Sequence, residues 1–217
     1  MDIEQARYNM IEQQIRPWDV LDQNVLDLSF KVRREDFVPP AHAALAFVDM
    51  EIPLGHGQAM WTPKLEARTV QEVTLRSSDR VLEVGTGSGY LTALLASLAA
   101  EVVSVDIVAT FTESAAAKLH AHGFANVVLH TGDAARDWPD DAGFDVIVLT
   151  GSTPLLSDSF KQRLRVGGRL FAIIGEPPVM QATLVTCTAP GAYRRVTLFE
   201  TCVAPLVNAP QPAAFVF

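Results

Sequence analysis

Residues 81–90 read Val-Leu-Glu-Val-Gly-Thr-Gly-Ser-Gly-Tyr, and few folds can use such a run. Arg80–Val84 is a short apolar strand, and Tyr90–Ala100 has the composition of a helix. Between them, glycines at alternate positions let the chain turn tightly and let a ligand approach the backbone with no Cβ in the way. The first N–H groups of the following helix, at the positive end of its dipole, then face that ligand. Strand, glycine turn and helix in this order open a parallel α/β sheet.

The downstream pattern agrees. Further strands are predicted at Val102–Asp106, Val127–His130, Phe144–Thr150 and Arg169–Ile174, and further helices at Thr110–His122 and Leu156–Leu164. Short apolar runs alternating with helices predict a doubly wound, Rossmann-like α/β sheet, mostly parallel, with helices on both faces. After Gly175, Thr183–Thr188 and Tyr193–Cys202 flank Pro190-Gly191, which predicts a C-terminal antiparallel hairpin on one edge.

The first 79 residues are different in character. Ile3, Ala6, Met10 and Ile11 recur at helical spacing, so an amphipathic helix is expected over 2–15, ending before Pro17. A second helix is expected over Gln23–Val32. The stretch Phe37–Pro63 holds four prolines and reads as an extended, loop-rich segment. Thr62 then caps a helix that has Pro63 in its first position and continues through Leu65, Val70 and Val73. The expected division is an N-terminal helical and loop section (1–79) packed on the core, a ligand-binding domain (80–206) and a C-terminal tail (207–217) that is either loose or docks through Phe215–Phe217 on an apolar surface.

Composition narrows the partners. A net charge of −8 with no lysine- or arginine-rich run argues against nucleic acid or an anionic membrane. The start, Met-Asp-Ile-Glu-Gln, lacks the features of a signal peptide, and no apolar run is long enough to span a bilayer, so a cytoplasmic location is expected. Cys187 and Cys202 form neither a disulfide framework nor a metal-ligand pattern, and no metal is expected.

The acids around the glycine run identify the ligand class. A dinucleotide fingerprint would be Gly-x-Gly-x-x-Gly. Gly85 and Gly87 match its first two positions, but Tyr90 takes the third, and Gly89 falls one place early. Glu83, Asp106 and Asp133 offer little to a pyrophosphate, whereas they would stabilise a sulfonium. S-adenosylmethionine fits this set best. Gly85, Thr86, Gly87 and Gly89 are expected to wrap its methionine part, and Glu83 to orient the ammonium, through water or directly. Asp106, followed by Ile107, ends the second strand and can accept from both ribose hydroxyls. Each acid has a plainer reading: a solvated strand end for Glu83, a helix cap for Asp106, a self-satisfied turn for Asp133.

Over most of its length the chain resembles the protein-L-isoaspartate O-methyltransferases. The likeness rests on Arg33-Arg34-Glu35-Asp36-Phe37-Val38-Pro39, on Gly55-His56-Gly57-Gln58 followed by Pro63, and on Val81–Tyr90. It continues through Gly132-Asp133, Phe144–Val148, Gly167-Gly168-Arg169-Leu170 and Ala204-Pro205-Leu206. The resemblance implies a methyltransferase sheet, S-adenosylmethionine as cofactor and the abnormal carboxylate of isoaspartyl proteins or peptides as acceptor. It places Asp133, followed by Ala134, against the adenine amino group, and Thr150 with Gly151 and Ser152 beside the methyl group.

One loop departs from that pattern. Where the family carries Thr-Ile-Ser, this chain has Ala59, Met60 and Trp61. Acceptor-side candidates are therefore Trp61, His56 and Ser152, none of them assigned a catalytic role. A carboxylate acceptor needs no base, so alignment supplies much of the rate. The large indole predicts weak isoaspartyl turnover and leaves two alternatives: a small-molecule acceptor, or a non-catalytic cofactor-binding sensor or adaptor.

Overall fold

In the computed structural model, which describes residues 2–213, one seven-stranded sheet organises the chain. Phe215–Phe217 lie outside the described residues.

The N-terminal section begins with α1 (Ile3–Met10), capped by the Asp2 side chain, which accepts from the Glu4 and Gln5 N–H groups. The chain then widens into a π-helical segment, Ile11–Ile15, and tightens into a 3₁₀ turn, Arg16–Trp18. The helix predicted over 2–15 is thus α-helical only to Met10. Pro17, which has no N–H to donate, sits in the terminating turn. Helix α2 (Gln23–Lys31) follows as expected, capped by Asp22. The stretch read as a loop holds more structure than predicted. After a 3₁₀ turn at Arg34–Asp36, it contains another at Pro40–Leu45 and a small hairpin of β1 (Ile52–Gly55) and β2 (Gln58–Met60). Strands of four and three residues are too short to show a period of two. Helix α3 (Pro63–Val73) starts where Thr62 accepts from the Leu65 N–H.

The sheet begins with β3 (Arg80–Val84), α4 (Tyr90–Ala96), β4 (Glu101–Asp106), α5 (Ala109–Ala121) and β5 (Val127–Thr131). It continues with β6 (Phe144–Thr153), α6 (Asp158–Gln162), β7 (Leu164–Glu176), β8 (Val179–Ala189) and β9 (Ala192–Thr201). The spatial order is β5-β4-β3-β6-β7-β8-β9. The first five of these strands pair in parallel, and β8 and β9 add antiparallel pairs around Pro190-Gly191, where the hairpin was predicted. Helices α4 and α6 are shorter than predicted. Leu164 already pairs with Phe144, so β7 takes the end of the expected α6.

Side chains alternate across the sheet, as the pleat requires. Val81, Val146, Val148 and Phe171 pack with Met10, Leu65, Val70 and Leu94, so the N-terminal section and one sheet face share a continuous core. Leu82, Val84, Ile147 and Leu149 point to the other face and pack with Phe160 of α6. The chain winds outward from β3 to β5 in one direction and from β6 to β7 in the other. That reversal opens a crevice at the carboxyl ends of β3 and β6, where open α/β sheets bind ligands.

Candidate functional site

A cleft of about 810 Å³, counting its open mouth, occupies that crevice. Gly85, Thr86 and Gly87 form one wall, Asp106 and Ile107 the next, and Asp133 and Ala134 the far end. The N-terminal section closes the opposite side with Met60, Trp61 and Glu66, and Leu206 and Val207 of the tail also line it.

The turn has the shape its glycines allow. Gly85 and Gly87 adopt φ of 102° and 51°. A Cβ on Gly85 would lie 2.0 Å from Thr150 Oγ1, which donates to the carbonyls of Val84 and Gly85. Thr150 therefore backs the turn as well as lining the cleft. Gly89 does something else. It caps α4 at φ 83°, and a Cβ there would come within 3.0 Å of Ala115 on α5, away from the cleft wall. Expected to wrap the ligand, Gly89 instead lies off the cleft lining and permits close packing of α4 on α5.

Asp106 is 8% exposed and braces the turn directly. Its Oδ2 accepts from the Gly87 N–H at 2.8 Å, and its Oδ1 from the Val108 N–H at 2.9 Å. Each oxygen keeps one acceptor site in reserve. Asp133, at the exposed end, accepts from the Ala135 N–H through Oδ1 and from Asn208 Nδ2 through Oδ2. The self-satisfied turn foreseen for Asp133 is present, and the tail adds a second tie.

Glu83 departs from its predicted place. It is fully buried beneath the turn and does not line the cleft. Its Oε2 accepts from Thr92 Oγ1 and from Ser104 Oγ, and Ser104 in turn bonds Thr86. The carboxyl ties α4, β4 and the turn together. Its Oε1 has no partner. Burial pushes the carboxyl up to about 8, against the hydrogen bonds from Ser104 and Thr92 and with the help of Asp106 and Glu66.

Of the acceptor-side candidates, only Trp61 reaches the cleft. It is also 6% exposed and part of the main core. His56 forms the exposed tip of the β1–β2 turn, its ring edge-on to Phe111 at 5.5 Å, and it does not line the cleft. Ser152 is buried, donating to the Val203 carbonyl, while its backbone pairs with Ala204 and Leu206. Its role is to anchor the tail.

Residues missed from sequence complete the site. Arg34, wholly buried, donates to Glu66 Oε2 at 3.0 Å, to the Ala46 carbonyl and to the Trp61 carbonyl. Glu66 is 2% exposed, and its carboxyl is pushed up to about 7 because burial outweighs the attraction of Arg34. A signal existed: Glu66 shares the stripe of Thr69, Val70 and Val73 on α3, an acid on an otherwise inward-facing row.

The lining contains the acids Glu66, Asp106 and Asp133 and no Lys, Arg or His. Such a wall favours a cation over a polyphosphate. Among the described residues no group of three or more His, Cys, Asp or Glu side chains is placed to hold a metal, and no helix is long and apolar enough to cross a membrane.

Comparison with known proteins gives one family. The family model for protein-L-isoaspartate(D-aspartate) O-methyltransferase matches residues 5–208. A protein-L-isoaspartate O-methyltransferase of Rhodopseudomonas palustris is 36% identical over 96% of this chain and 88% of its own. One from Anaeromyxobacter dehalogenans is 39% identical over 88% of this chain and 92% of its own. A Plasmodium falciparum structure, described as such a methyltransferase in complex with S-adenosyl-L-homocysteine, superposes with a TM-score of 0.78. It is 17% identical, with 95% of this chain and 99% of that one covered.

Proposed function

The chain belongs to the protein-L-isoaspartate O-methyltransferase family, and from that premise we propose that it methylates the carboxylate of isoaspartyl residues with S-adenosylmethionine. The observation that carries this reading is the cleft wall itself. Gly85–Gly87 leaves bare backbone, Asp106 holds that turn with acceptor capacity to spare, and every charged lining residue is an acid.

The residues present fit the cofactor. We assign the ribose hydroxyls to the reserve acceptor sites of Asp106, the adenine end to Asp133, Ala134 and Ile107, and the methionine part to Gly85, Thr86 and Gly87, with Thr150 behind them. Glu83 acts through the turn. When bound, S-adenosylmethionine supplies an electrophilic methyl group on a positively charged sulfur. The protein's contribution is to align and to dry the site. No proton has to leave a carboxylate acceptor, so no base is required, and positioning at near-attack distance carries much of the rate. Trp61 and Met60 exclude water from the acceptor side. In this reading the N-terminal section forms the acceptor wall, 80–206 the cofactor site, and Val207 with Asn208 a strap at the adenine end. The two cysteines are free, as suits a reducing, cytoplasmic setting.

The test is transfer of labelled methyl from S-adenosylmethionine to a peptide carrying one L-isoaspartyl residue, beside the same peptide with normal aspartate. Base-labile label in the first alone supports the reading. Cofactor binding without label in either peptide would refute the acceptor and favour a different one.

A further inference from the structure

The cleft carries one carboxyl that the reaction as described does not use. Glu66 projects from the first turns of α3 into the cleft, yet it is 2% exposed. Its Oε2 is fixed by Arg34 Nε at 3.0 Å, and Arg34 is itself held by the carbonyls of Ala46 and Trp61. Among the described residues Oε1 makes no hydrogen bond. No cationic side chain lines the cleft, so nothing on the protein neutralises an incoming acceptor carboxylate. An ionised Glu66 would repel it. Two carboxyls forced together share a single proton instead.

We propose that neutral Glu66 determines acceptor specificity: its Oε1–H donates to the isoaspartyl carboxylate oxygen that does not attack, while Arg34 fixes Oε2. The inference rests on the isoaspartyl reading above. Because Arg34 occupies Oε2 as a donor, the proton belongs on Oε1, the atom left without a partner. One acceptor oxygen is then pinned, and the other keeps its lone pair for the methyl carbon. The proton stays on Glu66 throughout.

The surroundings favour a neutral Glu66 near pH 7. Arg34 alone draws it towards ionisation. Burial opposes and outweighs it; the titratable neighbours are Glu83 on β3, whose own carboxyl Glu66 and Asp106 help to raise, and Tyr90 of α4, held neutral by its own burial. Arg7 and Glu35 complete the charged shell around Tyr90 and Arg34. With the carboxyl at about 7 in the free protein, the competent fraction falls about tenfold between pH 6 and pH 8.

The experiment uses the full chain and an acetylated, amidated isoaspartyl peptide with no other titrating group. Wild-type kcat/KM is expected to fall about tenfold from pH 6 to pH 8. Glu66→Gln, whose amide donates at every pH, is expected to flatten that profile. Glu66→Ala should raise KM across the range. Calorimetric titration of the peptide into the S-adenosylhomocysteine complex at pH 8, in buffers of different ionisation enthalpy, should show uptake of close to one proton by the wild type and none by Glu66→Gln. A flat wild-type profile, or no proton uptake, overturns the proposal even if the variants fail to fold. A tenfold loss of S-adenosylhomocysteine affinity in Glu66→Gln with unchanged peptide KM also overturns it, by moving Glu66 to the cofactor. Absence of wild-type isoaspartyl turnover at any pH is a different result, and takes down the proposed acceptor together with this contact.

Discussion

Asp106 is the residue whose replacement tests the cofactor site most directly. Its two oxygens each accept one backbone N–H, from Gly87 at 2.8 Å and Val108 at 2.9 Å. A carboxylate accepts about four hydrogen bonds, which leaves one site per oxygen for the two ribose hydroxyls. Asparagine keeps one acceptor oxygen and turns the other position into a donor. One ribose acceptance is therefore lost, and one backbone N–H faces another donor. Hydrogen bonds to a charged group contribute about 1.5–3 kcal/mol each, so Asp106→Asn should weaken S-adenosylhomocysteine binding roughly 10- to 100-fold. Asp106→Ala removes both ribose contacts and should cost about 3–6 kcal/mol, or roughly 10²- to 10⁴-fold. Isothermal calorimetry reads these directly. A ligand lacking the 2′-hydroxyl closes the cycle: its loss should cost the wild type about tenfold or more and cost Asp106→Ala nothing. Affinity of Asp106→Asn within threefold of wild type would refute the reasoning. So would an undiminished 2′-hydroxyl effect in Asp106→Ala.

The two turn glycines should respond differently. Gly85→Ala drives a Cβ to 2.0 Å from Thr150 Oγ1 and should lower Tm sharply, whereas Gly87→Ala meets only the end of Leu54 at 3.2 Å and should cost about 1 kcal/mol of backbone strain in a denaturant titration. Trp61→Ser, which restores the family's hydroxyl, leaves a hole in the core beside Met60. It should destabilise by about 3–5 kcal/mol in chemical unfolding, and cofactor affinity per folded molecule should hold. Glu83 makes stability depend on pH. Its folded value of about 8 lies above the ordinary 4.5, so the native state binds the extra proton between these limits, and stability falls as pH rises through that window. One such group changes stability by about 1 kcal/mol per pH unit, or roughly 2–4 °C in Tm, and Glu83→Gln should flatten the slope of Tm against pH between 5 and 8.

The sheet was legible because its signals are local. The apolar runs that became β3, β4 and β6 are continuous, and Pro190-Gly191 marked the hairpin that β8 and β9 form. The cleft wall proposed here to hold the cofactor was legible for the same reason. Gly85, Thr86, Gly87 and Asp106 lie within one strand–turn–helix–strand unit, where spacing in sequence is spacing in space. Glu83 shows how far that reasoning reaches. It stands two residues before Gly85, yet the pleat turns it into the sheet's interior, where Ser104 and Thr92 hold it. Strand residues alternate faces, and proximity in sequence to a binding turn does not decide which face a carboxyl takes.

On the opposite wall Trp61 was legible, but Glu66 and Arg34 were not, because tertiary contact brings them there. Trp61 and Glu66 come from the N-terminal section, and their partner Arg34 lies 32 residues before Glu66, between the second expected helix and the loop-rich stretch. His56 looked promising between two glycines, but those glycines serve a tight turn that holds it outside the cleft. The informative residue was instead an acid on the buried stripe of α3. Burying a carboxyl without a full set of partners is costly, and here an arginine is buried wholly to hold one of its oxygens. Glu66 lines the same cleft as the segment Ala59-Met60-Trp61, where this chain departs from the family's Thr-Ile-Ser. A change of side chains there, from hydroxyls to apolar groups, removes donors for an acceptor carboxylate. Gln58 and the Trp61 indole N–H remain as neutral donors in that lining, and Glu66 joins them only when it carries a proton.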